Sequence, residues 1–421
     1  NVAVGNYALD ALTSGDNNTV VGYQAGTSNN TGGNNTALGS EALRDNTTAG
    51  NNVAIGVFSL KVNTTGASNT AVGKGTLEAN TTGAQNTAVG EGALDANTTA
   101  NNNTALGFDA LGANTEGTQN LAVGEESLLA NTTGGQNVAI GSESMKANTT
   151  GSNNVALGRN ALKGNTTAAN NVALGMDTLV ANTTGTRNLA IMKNALNASD
   201  TEDDNLAIGY NAMTTNTAGG TYNIAVGNYA LDALTSGDYN IAIGGSAGSA
   251  INTGGDNTIV GYLAGNALTS GADNVAIGST ALYTATTVSG NTALGSNALK
   301  LTAAADNTGI GRSALEDNTT GTQNTAVGKG ALANNTTAGQ NTAIGREALF
   351  TNTTGADNVA VGSAALYTNN GAQNTAIGRN ALLSNTTGAG NVATGYDALR
   401  ANTTADDNTA VGYQSLVANT T

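Results

Sequence analysis

The chain of 421 residues carries a formal net charge of −15 and contains no proline, cysteine, histidine or tryptophan. These absences exclude a disulfide framework, thiolate metal sites and the most common general base. The acidic balance opposes nucleic-acid binding, which needs a basic face. No segment is long and apolar enough to predict a membrane span, no signal peptide is recognised at the start, and we expect no cofactor.

A 17-residue repeat organises the chain. The segment 86–102 begins Asn-Thr-Ala-Val-Gly, and the same pattern starts again at Asn103. Laid out at this period, residues 1–421 form about 25 copies, which is typical of a solenoid whose coils stack on their neighbours. We therefore predict a single repeat array over 1–421, and we expect it to be a segment of a longer fibre.

Two positions of the repeat hardly vary. Counting from the first residue of each copy, position 1 is always asparagine, and stacked amides at the strand spacing predict a structural ladder that includes Asn52, Asn86, Asn137, Asn274 and Asn391. Position 5 is glycine in every copy except one, where Met192 replaces it. The pattern predicts turn glycines that allow positive φ or close backbone approach, among them Gly56, Gly90, Gly141 and Gly278.

The coil itself is predicted from its short apolar runs. The trio 53–55 (Val-Ala-Ile) before a glycine indicates a short strand, the pair Ala93-Leu94 a second short strand, and Asn97-Thr98-Thr99 the closing turn. Asparagine, threonine and glycine in every copy oppose helices. The predicted fold is all-β, a parallel β-solenoid or β-roll, forming an elongated rod of roughly 120 Å at ~4.8 Å per coil.

The twelfth copy, which starts at Asn188, is irregular. Met192 stands where glycine is expected, the turn 199–204 is acidic, and the next copy is one residue longer. Because methionine does not readily adopt positive φ, we expect the turn after Ile191 to take a different path. We predict that 188–222 is an irregular joint, the weakest part of the array and the first to be cut by protease.

Few side chains suggest chemistry. Four carboxylates of the acidic turn, Asp200, Glu202, Asp203 and Asp204, are a weak candidate cation site, but a solvated loop is the favoured interpretation. Asn-Thr-Thr is formally an N-glycosylation sequon, for example at Asn97, but the preferred interpretation is that its residues make turn hydrogen bonds and stack into polar ladders. Since no acidic pair recurs with a positioned partner, we expect no catalytic residue, no metal ligand and no enzymatic activity.

The segments Asn51-Asn52-Val53-Ala54-Ile55-Gly56 and Asn153-Asn154-Val155-Ala156-Leu157-Gly158 are similar to a known repeat. They resemble the Ser-Val-Ala-Ile-Gly-x-x-Ser/Ala head repeats of trimeric autotransporter adhesins of the YadA type, and related repeats of phage tail fibres. The resemblance implies a left-handed parallel β-roll, three chains side by side, and a surface that binds host matrix or cells. The longer coil and the asparagine at position 1 depart from that family, so collagen binding is not carried over.

These observations predict an extracellular structural fibre or adhesin rod, located on a cell surface or virion. We expect the chain to associate with itself, most simply as a parallel homotrimer, because the small residues at position 3, such as Ala54 and Ala88, would allow close approach. Attachment to a host or cell surface is a further expectation. The alternatives are a phage tail fibre and an ice-binding solenoid with stacked threonines. Adjacent Thr98 and Thr99 would point opposite ways in a regular strand, which disfavours ice binding.

Overall fold

The computed structural model describes residues 1–420, and within them the fold is all-β, with 25 three-residue strands and no helix. The chain divides into two compact units, Asn1–Ala207 and a second unit that begins at Ile208. The first twelve strands are β1 Val2–Val4, β2 Thr19–Val21, β3 Thr36–Leu38, β4 Val53–Ile55, β5 Thr70–Val72, β6 Thr87–Val89, β7 Thr104–Leu106, β8 Leu121–Val123, β9 Val138–Ile140, β10 Val155–Leu157, β11 Val172–Leu174 and β12 Leu189–Ile191. The remaining strands are β13 Leu206–Ile208, β14 Ile224–Val226, β15 Ile241–Ile243, β16 Thr258–Val260, β17 Val275–Ile277, β18 Thr292–Leu294, β19 Thr308–Ile310, β20 Thr325–Val327, β21 Thr342–Ile344, β22 Val359–Val361, β23 Thr375–Ile377, β24 Val392–Thr394 and β25 Thr409–Val411.

Each unit is a parallel β-solenoid, which confirms the predicted fold class. In the first unit every strand from β1 to β12 pairs in parallel with the next, so that Val155 lies beside Val172 and Ala156 beside Ala173. The second unit repeats this arrangement from β14 to β25, for example with Ile241 beside Thr258. The pairing places each residue next to its counterpart one repeat away.

The middle residue of each strand points into the coil, and the two flanking residues point outwards. Ala54 and Ala88 are fully buried, whereas their neighbours in β4 and β6 are partly or largely exposed. Side chains alternate across a strand, so a three-residue strand has one inward and two outward residues. The alanines at position 3 therefore fill the interior and are not available to a neighbouring chain, contrary to the expectation above.

The predicted second strand is absent from every coil that the structure describes. Ala93 and Leu94 lie in a turn, where Gly92 has φ +70° and Leu94 has φ +54°. Left-handed φ costs a leucine about 1–2 kcal/mol, and full burial of its side chain offsets this by ~1.5–3 kcal/mol. The Leu94 amide still donates to the Ala110 carbonyl of the next coil at 3.0 Å, so inter-coil hydrogen bonding continues outside the strands.

The interior is filled by a few positions whose volumes compensate one another. Leucine or methionine at position 9 is fully buried in nearly every coil, as at Leu94. Where the interior is filled by Ile251 or Ile259 instead, position 9 is Gly248 or Gly265. A Cβ on Gly248 would lie 2.8 Å from the Ile251 Cδ1, and one on Gly265 would lie 3.1 Å from the Ile259 Cδ1. Each glycine makes room for the larger side chain beside it.

The twelfth coil keeps the regular inter-coil hydrogen bond at position 5. Met192 adopts φ +85°, and its amide donates to the Leu174 carbonyl at 2.8 Å, as the glycines at this position do in other coils. The glycines at this position have φ between +128° and +147°, so the turn after Ile191 departs from the usual φ at Met192 while its strand pairing stays regular. The extra residue of the next coil lies in the exposed turn near Gly219, after position 12. The boundary between the two units falls inside 188–222, while the weakness of that segment stays a prediction.

Candidate functional surfaces

The asparagines at position 1 form a buried ladder. The Oδ1 of Asn86 accepts the backbone amide of Asn103 in the next coil at 3.0 Å, and its Nδ2 crosses its own coil to the Ala100 carbonyl at 2.9 Å. Asn137 makes the same two bonds, at 3.0 Å to the amide of Asn154 and 2.8 Å to the Gly151 carbonyl. The ladder predicted from sequence is present, but it joins side chains to backbone more than to one another.

The other predicted members of the ladder follow this pattern with one exception. Asn274 and Asn391 accept the amide of the next coil at 3.0 and 2.9 Å, and both donate across their own coils at 2.8 Å. Asn52 accepts the amide of Asn69 at 2.9 Å, but its buried Nδ2 has no hydrogen-bond partner. Because each Oδ1 satisfies a backbone N–H that is otherwise buried, the residue has a structural role.

The asparagines of the Asn-Thr-Thr turns form a second column, which confirms the predicted stacking, and the column is buried, which was not predicted. At position 12, Asn97 Nδ2 donates to Asn80 Oδ1 at 2.8 Å and to the Ala100 carbonyl at 3.2 Å, and the side chain is fully buried. A buried and hydrogen-bonded amide is not accessible to a modifying enzyme in the folded chain. The geometry therefore favours the structural interpretation of these sequons.

The turn glycines are required by close backbone approach. Gly56, Gly90, Gly141 and Gly278 have φ between +135° and +138°. A Cβ on Gly141 would lie 2.5 Å from the carbonyl oxygen of Gly158, closer than real Cβ contacts allow. Because of the positive φ and this close contact, a larger residue at this position would destabilise the coil. These glycines therefore have a structural role.

The carboxylates of the acidic turn have different hydrogen-bond and ion-pair partners. Glu202 is buried, and its Oε2 accepts from the Ser199 hydroxyl at 2.9 Å and the Asp200 amide at 2.7 Å. Asp203 accepts from Thr186, and Asp204 pairs with Arg187, through contacts in the preceding coil. Within residues 1–420, no group of three or more acidic side chains is placed to hold a metal ion. The turn thus uses its carboxylates to complete local hydrogen bonding.

Charged side chains lie on the turns outside the strands, which we call the turn side of the coil, and ion pairs there join neighbouring coils. Glu143 contacts Lys163 at 2.6 Å and Lys146 at 3.0 Å, and these hydrogen bonds lower its pKa to about 2. Asp95 and Asp109 show the opposite effect, because burial, followed for Asp109 by the charge of Glu126, raises their pKa values. This side of the solenoid therefore carries many charges, and only some of its carboxylates are paired with a lysine or arginine.

The outward side of the strands is uncharged. We call the side chains at positions 2 and 4 of each coil the sheet face. None of these residues in the 25 described strands is acidic or basic, and position 4 is valine, leucine or isoleucine in every strand except β24, where it is threonine. Leu38, Leu106 and Leu157 are 46–48% exposed, and Ile243 in the second unit is 41% exposed. The sheet face is therefore uncharged throughout, with a row of aliphatic side chains at position 4 and threonine at position 2 in twelve of the 25 described strands.

Aromatic side chains are exposed on the turn side, where several pair with the same position of the next coil. Tyr396 and Tyr413 stack with ring centroids 5.3 Å apart, and Phe350 stacks on Tyr367 at 5.2 Å. Tyr262 has no stacked neighbour of this kind and is 63% exposed. These rings supply contact points away from the sheet face.

No protein-family model matches this sequence, and no curated protein matches it. Residues 1–420 also contain no helix with the length and apolar character of a membrane span.

Proposed function

We propose that this chain is a non-catalytic structural segment of an extracellular fibre or adhesin, and that copies of the chain associate through the sheet face. The observation that supports the proposal is the uncharged sheet face, with an aliphatic side chain at position 4 in every described strand except β24, in a chain with a net charge of −15. Extended exposed apolar surfaces usually mark an interaction site. Charges confined to the turn side leave this surface free to be covered.

The repeat distance favours a second copy of the chain as the partner. The outward side chains recur once per coil, at the spacing of parallel strands. Another solenoid with the same coil spacing presents side chains at the same interval, so contacts made in one coil repeat in the next. A parallel homotrimer, located on a cell surface or virion and attached to a host or cell surface, is the assembly that we propose.

Light scattering on dilutions of the purified chain tests the association. We expect a mass of three chains, and we expect Leu38→Asp together with Leu106→Asp to give monomers, because each buries a charge in the interface. Leu129→Asp is the matched control, since Leu129 lies on the turn side beside Asp109 and outside the sheet face. A wild-type chain that remains monomeric at all concentrations would overturn the proposal.

Ice binding is a second candidate function, and one feature of the sheet face favours it. In three consecutive coils, Thr70, Thr87 and Thr104 occupy position 2, each paired in register with the next and each beside an aliphatic residue at position 4. These threonines point to the same side, unlike Thr98 and Thr99 as predicted from sequence. Thermal hysteresis of the purified chain would support this function, and ordinary freezing behaviour would exclude it.

A further inference from the structure

A groove in the second unit lies where one coil lacks outward side chains. In the coil that starts at Asn324, the turn positions 7 and 10 are Gly330 and Ala333. The coils on either side carry longer side chains at these positions, so that Ser313 and Glu316 form one wall and Glu347 and Phe350 form the other. The groove has a volume of about 310 Å³, at the small end of the range for ligand pockets.

The dimensions of the groove suit a flat ring. Its walls belong to coils that are two strand spacings apart, or roughly 9.6 Å between backbones. Phe350 stacks on Tyr367 in the following coil, with ring centroids 5.2 Å apart and planes inclined by 14°. The other side of the Phe350 ring faces Gly330, where an added Cβ would lie 3.5 Å from its Cε2. One aromatic surface is therefore left open towards the groove.

The polar groups of the groove include both donors and acceptors. Lys329 and Asn334 can donate hydrogen bonds, while the carboxylates of Glu316, Asp317 and Glu347 accept them. Burial, reinforced by the charge of Glu316, raises the pKa of Asp317. A phosphate or carboxylate ligand would be repelled by three acidic groups, whereas a neutral ligand that both donates and accepts hydrogen bonds can use Lys329 and Asn334 as well as the carboxylates.

We propose that this groove binds a single pyranose unit of a glycan. A sugar hydroxyl both donates and accepts hydrogen bonds, which matches the mixed polar lining, and the C–H bonds of a pyranose face can pack on the open side of Phe350. This site goes beyond the structural role proposed above and does not depend on self-association. Its position on the turn side leaves it accessible when the sheet face is covered.

A groove in the first unit lacks an aromatic wall. It has a volume of about 320 Å³ and is lined by Asp95, Asp109 and Leu129 among others. Elsewhere in this unit, Gly92 occupies position 7 as Gly330 does, and its φ of +70° is close to the φ of +68° at Gly330. Gly92→Asn therefore makes the same substitution on the same backbone conformation, away from the proposed site.

Saturation-transfer NMR on the full chain tests the proposal, with the methyl glycosides of glucose, galactose, mannose and N-acetylglucosamine as probes at millimolar concentration. We expect transfer to at least one glycoside, and a roughly tenfold loss of affinity in Phe350→Ala. Gly330→Asn should abolish the signal by filling the groove. Asn160 and Asn380 occupy the same position in other coils with φ +59° and +57°, so asparagine is compatible with this backbone.

Gly92→Asn is the control and should leave the signal unchanged. The absence of transfer to all four glycosides, or an equal signal in Gly330→Asn, would overturn the proposal. Light scattering on the same samples reports self-association separately. Failure of one proposal can therefore be distinguished from failure of the other.

Discussion

Two stretches of coils, one in each unit, fill position 12 in different ways on the same backbone, although the second unit also carries asparagine there from Asn318 to Asn402. In the first unit, ten consecutive coils carry an asparagine there, from Asn29 to Asn182, and we call this the amide column. In the second unit, four consecutive coils carry Leu234, Ile251, Leu268 and Ala285, which we call the apolar column. Both columns are fully buried. Strands, turns and position-1 asparagines continue unchanged through both.

The difference shows which amides the fold requires. The position-1 asparagines form hydrogen bonds with backbone groups. They keep these bonds in the coils that carry the apolar column, where Asn240 donates to the Gly254 carbonyl at 2.8 Å.

The amides of the amide column bond to one another and to a carbonyl of their own coil, as Asn131 does with Asn114 Oδ1 at 2.8 Å and the Gly134 carbonyl at 2.9 Å. That carbonyl also accepts from Asn120 at position 1 of the same coil, so it keeps a partner without the position-12 amide. Removing both partners of a hydrogen bond can be nearly neutral, whereas removing one leaves a buried polar group unpaired. Asparagines at position 12 can therefore be replaced together in several consecutive coils, whereas a single replacement is destabilising.

The largest expected effect comes from a polar group placed in the apolar column. Ile251→Asn should destabilise the second unit by about 4 kcal/mol, because it removes a buried aliphatic side chain and buries an amide between two leucines. Native-state hydrogen exchange of neighbouring amides would measure the loss. The control is Tyr262→Asn in the next coil, which is 63% exposed outside the sheet face and should change stability by under about 1 kcal/mol. Equal effects at the two sites would contradict the comparison.

The reciprocal change in the amide column should be smaller. Asn131→Leu leaves Asn114 Oδ1 without its donor and should cost about 2 kcal/mol. Replacement of Asn114, Asn131 and Asn148 together with leucine should cost less than three such single changes, since the bonds among the three disappear in pairs. Hydrogen exchange in the first unit measures both variants. Additive losses would show that the amides act independently.

Sequence reasoning identified the period, the position-1 ladder and the turn glycines, because each leaves a residue type at a fixed interval. It predicted that the Asn-Thr-Thr residues stack into ladders but not that the amide column is buried, since Asn-Thr-Thr is equally typical of an exposed turn. It also misassigned Leu94, whose left-handed φ follows from stacking against other coils and not from the preference of leucine. A strand of three residues is too short for its pattern to show which side faces inwards, and so the sheet face required coordinates.

The groove near Phe350 could be predicted in part from the sequence. Gly330, Ala333 and Phe350 are all visible in the sequence, and the 17-residue period places Phe350 and Ala333 at the same position of adjacent coils. The open side of the ring and the volume beside it depend on side-chain placement. The period alone predicts adjacency but not space.

Met192→Gly tests whether backbone strain lowers the stability of the twelfth coil, independently of the amide column and the apolar column. Glycine adopts positive φ without the strain of a side chain, so the variant should gain about 1 kcal/mol in local stability. Limited proteolysis should cut within 188–222 more slowly than in the wild type. Cleavage spread evenly along the wild-type chain would show that this coil is not weaker than the others.

The smallest effect is expected from charge on the turn side, outside both columns. Glu143 has its pKa lowered from 4.5 to about 2, so its ion pairs stabilise the folded chain above pH 4.5 and lose this effect as the pH falls towards 2. Glu143→Gln should be slightly less stable than wild type at neutral pH and equal to it near pH 2. Unfolding curves across this range measure the difference, and a constant difference would assign it to packing.

The glycines after each strand also restrict the errors that a repetitive chain can make while folding. Any slip of a few residues would bring a side chain to the site where a Cβ on Gly141 would lie 2.5 Å from the next backbone. A slip of one full period instead replaces glycine with glycine and asparagine with asparagine. Misassembly of this chain should therefore occur in whole coils, with an entire repeat looped out and every remaining coil correctly paired.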